Sequence, residues 1–411
     1  MFYGWLVVAA VFTLLFTGFG AAYTFPAFFE PLRSEFAATR GAISLVFGIS
    51  GFLYFILGIV SGPLADRYGP RPVIGFGVLC VAVGLAAAGL VDSLAMVLLA
   101  YGLGIGVGVG FIYVPAIGTV QRWFVVRRGQ ASGFAVMGIG LGTLTMPPLA
   151  AWLIDWLGWR QSYILLAVAF LFCAGIAALL MRASPQAMGL APDGAPQENE
   201  AASRAVHLPG FSLAETLRHR VFWRLYLASS LCCVGTFVPF VHLAAYAQDQ
   251  GLTRAQGVWL VGLIGVGSTL GRFLLGSAAD RIGRRRAFIL VIVMTGLMVG
   301  YWLLASSFWS LALFAVGFGI AYGGYVALAP AYTIDLFGAR SASAVIGALY
   351  TSVAFGTLVG PAFAGWAFDY WGSYAVPILI CASCCMIGAW VANLLPARLP
   401  LPPPSQSTTR G

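Results

Sequence analysis

Twelve long apolar runs, separated by short polar breaks, leave this chain few ways to fold. They cover about residues 6–28, 42–64, 72–91, 95–121, 129–154, 161–182, 221–247, 257–279, 286–306, 308–334, 341–367 and 373–395. Each approaches or exceeds the ~20 residues that a helix needs to cross ~30 Å of hydrocarbon. Lipid offers no partner to a backbone amide, so such runs fold as helices that satisfy themselves. The expected class is all-α integral membrane, with twelve transmembrane helices. Only 9% of the residues are charged, against ~25% in a soluble domain, so little mass is left outside the bilayer. The first run starts at once and is too long for a cleaved leader, so it reads as a retained span.

The arginines orient the chain. All 22 basic residues are arginine, and the net charge is +9. Seventeen lie in the even-to-odd loops, the central polar segment or the tail; Arg33, Arg40, Arg160 and Arg254 lie on the opposite side, and Arg272 lies inside a span. Positive residues mark the cytoplasmic side, so both termini are expected there. The basic balance therefore reports topology and not a nucleic-acid partner. The seven cysteines sit in apolar runs without metal-ligand spacing, and His207, His219 and His242 are scattered. No metal or cofactor is expected, and no nucleophile–base pair suggests an enzyme. The alternating glycines from Gly102 to Gly110 lie within a span, where close helix packing explains them better than a dinucleotide loop does.

The sequence repeats itself at one offset. Gly62, Asp66, Arg67, Gly69 and Arg71 recur as Gly276, Asp280, Arg281, Gly283 and Arg285. Gly142, Thr143, Leu144, Pro147, Trp152, Asp155 and Gly158 recur, again 214 residues on, as Gly356, Thr357, Leu358, Pro361, Trp366, Asp369 and Gly372. The chain is thus a duplicated six-helix unit, with the halves parallel about an axis along the membrane normal. The expected domains are a first half at 1–182, a cytoplasmic linker at 183–220, a second half at 221–396 and a disordered tail at 397–411. Asp66, Arg67 and Arg71, with Asp280, Arg281 and Arg285, are candidate gating residues. They can cap or pair across helix ends, holding one conformation and releasing in another.

Arg272 stands eight residues inside the charged end of the eighth span, or ~12 Å deep. A guanidinium at that depth costs several kcal/mol unless something compensates it. It faces a watery cavity and binds an anion, or it is a packing arginine bonded to backbone carbonyls of a neighbouring helix. Ser268 shares its face one turn earlier, and Gly265, Gly267 and Gly271 let a neighbouring helix come close. Tyr113, Tyr325 and Tyr350 are mid-span phenols suited to lining the same cavity; Tyr322 shares a face with Tyr325. His242, near the outer end of the seventh span, is either an outer gate or titrating group or a satisfied interfacial histidine.

The six-plus-six repeat and the twice-occurring G-x-x-A-D-R-x-G-x-R loop resemble the major facilitator superfamily. The opening Tyr3-Gly4-Trp5 and the run from Gly110 through Tyr113, Pro115, Trp123 and Gly133 resemble its monocarboxylate transporter family, and the segments His242 to Gly251 and Gly271 to Arg285 resemble the bacterial monocarboxylate and oxalate–formate branch. This implies the major facilitator fold, a bacterial inner membrane and a small carboxylate substrate. It also implies a proton or counter-anion as the coupled species, and a monomer as the working unit. By resemblance Arg272 binds the substrate carboxylate, and Met137 and Phe25 are apolar walls. The chain departs from the pattern in having Ser268 where animal members carry an aspartate, and in lacking lysine altogether. One buried cation suits a monoanion better than a dianion. The function expected is proton-linked transport of a lactate- or pyruvate-like anion, the rival is an oxalate/formate exchanger, and a transporter-like sensor or scaffold is the alternative from a different class.

Overall fold

Helices form where the apolar runs place them. The computed structural model describes residues 2–124, 127–194, 210–338 and 340–400, and within them all side chains but those of residues 128, 129, 187, 194, 280 and 343. The first half holds α1 (Tyr3–Glu35), α2 (Arg40–Ile56 and Gly58–Tyr68, bent by 45°), α3 (Pro70–Ala88), α4 (Leu94–Trp123), α5 (Arg128–Leu157) and α6 (Trp159–Leu180). The second holds α7 (Arg220–Asp249), α8 (Arg254–Ile282), α9 (Arg284–Trp302), α10 (Phe308–Phe337), α11 (Ala342–Trp371) and α12 (Ala375–Asn393). Eleven of these are long and apolar enough to cross a membrane alone, and the bent α2 makes the twelfth. Between the halves, the short helix Leu213–Arg218 opens on a capping box of Ser212 and Glu215. Residues 195–209 of the linker and 401–411 of the tail lie outside the described residues.

Two helices are broken at matching depth. α1 bends at Thr24, just before Pro26, and α7 bends at Phe237, just before Pro239. A proline has no N–H, so the carbonyl four residues back loses its helical donor. In α1 that is Ala22, and the Tyr101 hydroxyl donates to the carbonyls of Ala21 and Ala22 at 3.1 and 3.0 Å. A buried phenol from α4 thus stabilises the break.

Glycines decide which helices touch. Along α4, Gly104 and Gly108 meet the α3 backbone at Gly84 and Gly77, while Gly102, Gly106 and Gly110 meet α2. The alternation therefore serves two neighbours at once. Between α8 and α10, a Cβ on Gly267 or Gly271 would strike α10 carbonyls, and one on Gly319 or Gly323 would strike α8 carbonyls. Each helix carries the small-x-x-x-small spacing that brings backbones close. The duplicated loop glycines, Gly69 and Gly283, take φ +87° and +88°. With ψ 155° and 139° this is a region that essentially only glycine occupies, which explains why both copies keep it.

The halves meet along α2–α11 and α5–α8. Gly41 and Gly365 lie against each other at one seam, and Gly140 and Gly265 at the other. A cavity lies between the seams.

Candidate functional site

The cavity, about 530 Å³ counting its mouth, is lined from both halves. Among the described residues, Arg272 of α8 is the only charged side chain on its wall. Its position follows from the α8–α10 contact. Gly271 faces the Ile320 carbonyl of α10, and one residue later the helix has turned ~100°, which points Arg272 away from α10. The guanidinium Nη1 donates to the Val136 carbonyl of α5 at 3.0 Å. Its Nε is buried and has no partner among the described residues. The residue thus bonds one neighbouring carbonyl, stands on the cavity wall and keeps one buried donor without a partner among the described residues.

Around it stand Tyr113, Tyr322, Tyr325 and Tyr350. The Tyr322 hydroxyl is 3.2 Å from that of Tyr23, across the two halves. The Cys233 thiol reaches Tyr325 at 3.7 Å. The hydroxyls of Tyr113 and Tyr350 make no protein hydrogen bond among the described residues, while their rings pack edge-on against Phe19 and Phe55. Thr236 and Phe237, at the break of α7, complete the polar and aromatic wall with the aliphatic Ile139, Val326 and Val353. One cation, several phenols and an apolar remainder suit a small anion with a carbon body. A carboxylate takes the forked guanidinium in two charge-assisted bonds.

Of the residues singled out from the sequence, Arg272, Tyr113, Tyr325 and Tyr350 come together on this wall. Ser268 does not line it; the residue is 3% exposed in the α8–α10 contact. Phe25 is fully buried, packed with Phe29, Phe47 and Tyr101 inside the first half. Phe19, six residues earlier on α1, lines the wall instead. Met137 is half-buried off the cavity, where Ile139 takes its expected place. Tyr322, Thr236 and Phe237 were not singled out as wall residues. A signal for them existed: proline-interrupted spans at corresponding places in two repeats point to a binding site.

The candidate gating residues stay within their own halves. Asp66 accepts from Arg122 at 2.6 Å, Arg67 lies over the Tyr68 ring, and Arg285 donates to the Leu395 and Asn393 carbonyls. Arg71 and Arg281 are exposed, and the Asp280 side chain lies outside the described residues. With Asp66 70% exposed and Arg122 34%, their pair is worth about 0–1 kcal/mol. Arg122→Ala is therefore expected to change thermal unfolding in detergent by no more than ~2–3 °C; a larger loss would show that the pair matters more than its exposure allows.

The polar contacts that do join the halves lie at mid-depth or on the far side, opposite the side where α1 begins and α12 ends. Arg40, at the start of α2, donates to both carboxylate oxygens of Asp249 at 2.6 and 2.7 Å and to the Tyr374 hydroxyl at 2.8 Å. Its guanidinium also lies 3.9 Å over the Phe368 ring. The amides of Arg40 and Gly41 donate to the two oxygens of Asp369 at 3.0 and 2.8 Å. At the other seam, Arg254 donates to Asp155 at 2.7 Å and to the Ala27 carbonyl at 2.9 Å. His242 of α7, fully buried, joins the first seam. Its Nδ1 is 2.9 Å from the Tyr374 hydroxyl, and its Nε2 lies 2.9 Å from the Pro361 carbonyl and 3.1 Å from Ser44 Oγ. Among the described residues, no hydrogen bond or ion pair links the halves on the side of the termini.

These contacts obey the duplication. Arg40 and Arg254 are 214 residues apart, as are Asp155 and Asp369, Glu35 and Asp249, and Arg160 and Tyr374. The last two pairs explain an asymmetry. In the first half, Arg160 neutralises Glu35 at 2.7 Å. In the second, Tyr374 stands in the place of that arginine, so Asp249 takes its cation from across the seam. The α2–α11 seam therefore carries a bidentate ion pair between the halves, where the α5–α8 seam carries a single one.

Comparison with known proteins places these features in context. The family described as the Major Facilitator Superfamily matches residues 10–276 and 225–411. Monocarboxylate transporter 13 of Bos taurus is 26% identical over 396 residues, covering 96% of this chain and 89% of that protein. Monocarboxylate transporter 2 of Homo sapiens is 28% identical over 404 residues, covering 93% and 83%. A bacterial homologue of the human lysosomal transporter Spinster, solved in an inward-facing and unoccupied conformation, is similar in fold, with a TM-score of 0.75 at 16% identity over 96% of this chain and 97% of its own.

Proposed function

The chain belongs to the Major Facilitator Superfamily, and from that premise we propose that it is a secondary active transporter of a small monocarboxylate anion, working by alternating access and coupled to protons. The observation that carries this reading is Arg272: the only charged side chain on the cavity wall, with a buried Nε that has no protein partner among the described residues. The names of the relatives support the substrate class. The side of the termini, rich in arginine, is the cytoplasmic side of a bacterial inner membrane in this reading, and one chain is the working unit.

Among the described residues the cavity wall holds no carboxylate. Coupling then acts through Arg272. The cation must be neutralised, by an anion entering with a proton or by an exchanged anion, before the halves rock about the cavity.

The experiment is uptake of labelled lactate, pyruvate, formate and oxalate into proteoliposomes, with and without an inward proton gradient. Monocarboxylate uptake that rises with the gradient is expected. Uptake that needs a counter-anion inside and ignores the gradient would make the protein an exchanger of the oxalate/formate kind. No uptake of any carboxylate under either condition would remove the substrate assignment.

A further inference from the structure

We propose that His242 is a proton sensor in the far-side seam: the closed seam is built for the neutral imidazole, so a proton arriving from that side holds the transporter open toward it. This rests on the alternating-access reading above.

Hydrogen-bond bookkeeping assigns the ring. The Pro361 carbonyl only accepts, so Nε2 carries the hydrogen and donates to it at 2.9 Å. Ser44 Oγ donates to the Arg40 carbonyl at 2.6 Å, which leaves its lone pairs toward the same Nε2. The Tyr374 hydroxyl accepts from Arg40 Nη1 at 2.8 Å, so its own hydrogen is free to donate to Nδ1 at 2.9 Å. Each donor that touches the ring or Ser44 and Tyr374 meets an acceptor, although Arg40 Nε has none among the described residues, and Nδ1 acts as the acceptor. An imidazolium has no lone pair at Nδ1. Protonation would set N–H against O–H, strand one buried hydrogen and place a second cation near Arg40. A stranded buried donor is among the costlier faults in a packed interior.

Nearby carboxylates do not rescue the cation. Charged groups face this site from α2 (Arg40), α7 itself (Asp249) and α11 (Asp369), and Tyr374 precedes α12; α1 contributes the Phe29 ring, 5.7 Å away edge-on, and Glu30, which acts on Tyr374 but pairs with Arg33. Asp249 directs both oxygens at Arg40. Asp369 directs both at the amides of Arg40 and Gly41, at the positive end of α2. Neither hydrogen-bonds the ring. When the seam parts, the ring gains water, which can accept the second hydrogen that the closed seam strands. The proton must leave before the seam closes, so it returns to the side it came from. The sensor is thus separate from the coupled ion, and acidity on the far side raises the fraction of transporters that present the cavity to that side.

The test is the distance between spin labels at Ser34 and Gln250, across the seam, in a cysteine-depleted protein reconstituted in lipid. It is measured from about pH 8 to about pH 5, with and without lactate, for His242 and for His242→Gln. Glutamine keeps a donor and an acceptor but does not titrate. The long-distance fraction of the parent protein is expected to rise roughly tenfold with acid. His242→Gln is expected to stay flat. Equal pH responses in the two proteins, or none in the parent while lactate still moves the labels, overturns the sensor. Labels that respond to neither pH nor lactate overturn the alternating-access reading beneath it. Should His242→Gln fail to fold, Tyr374→Phe provides the second test. It removes the bond that protonation breaks, so the opening transition is expected nearer neutral pH, and an unmoved transition overturns the proposal.

Discussion

Arg272→Ala is expected to abolish carboxylate uptake and leave the protein folded. Removing one partner of a buried, hydrogen-bonded charge pair costs ~2–5 kcal/mol, which is a fall in affinity of roughly 30- to 4,000-fold at ~1.4 kcal/mol per decade. Among the described residues no other cation lines the cavity to take over. The fold loses little, because the side chain makes a single protein hydrogen bond, to Val136, and leaves Nε without a partner among the described residues. One such bond is worth ~1 kcal/mol. Arg272→Lys keeps the charge but not the fork, and is expected to fall between the two. Proteoliposome uptake beside thermal unfolding separates the effects. Full uptake by the alanine variant would mean that the residue only packs against α5, and that the anion binds elsewhere.

The second large effect is expected at Arg40. Arg40→Ala removes a bidentate ion pair, a phenol contact and a guanidinium stacked on Phe368. The Arg40 side chain is 7% exposed and Asp249 33%. Breaking a buried pair costs ~3–5 kcal/mol, and the partial exposure of Asp249 argues for the lower end. About 3 kcal/mol would shift the balance between closed and open seam by roughly 150-fold. Arg254→Ala, whose pair is 25% and 65% exposed, is expected to shift it far less, near the ~1 kcal/mol of a surface pair. Reagent access to a cysteine placed on the cavity wall, applied from the far side, reads the shift. Uptake should slow in Arg40→Ala because closure, and not substrate capture, becomes the difficult step. If the two arginines gave equal effects, the asymmetry traced to Tyr374 would carry no energy.

How much of the site was legible depended on the kind of information each residue carries. Arg272 was visible because a charge eight residues inside an apolar run is costly wherever its helix lies. Tyr113, Tyr325 and Tyr350 were visible because a mid-span phenol needs a polar partner. Phe25 and Met137 were placed by resemblance alone. An apolar side chain fits any apolar surface, and Phe25 packs into the core of its half. Tyr322 shares a face with Tyr325, yet its bond to Tyr23 links residues 299 positions apart, which no helical spacing reveals.

The far-side arginines show the same division most plainly. By itself the sequence determined the membrane class, the span count and the duplication, because these follow from composition, run length and a repeated offset, all local quantities. It also separated four arginines from the other side's seventeen, but only as the minority of an orientation rule. Tertiary structure alone decided that Arg40 and Arg254 join the halves while Arg33 and Arg160 stay within one, at Glu30 and Glu35. Arg40 and Asp249 are 209 residues apart. They meet because glycines let α2 and α11 close on each other, and because a tyrosine stands where the repeat would have supplied the aspartate with a nearer cation.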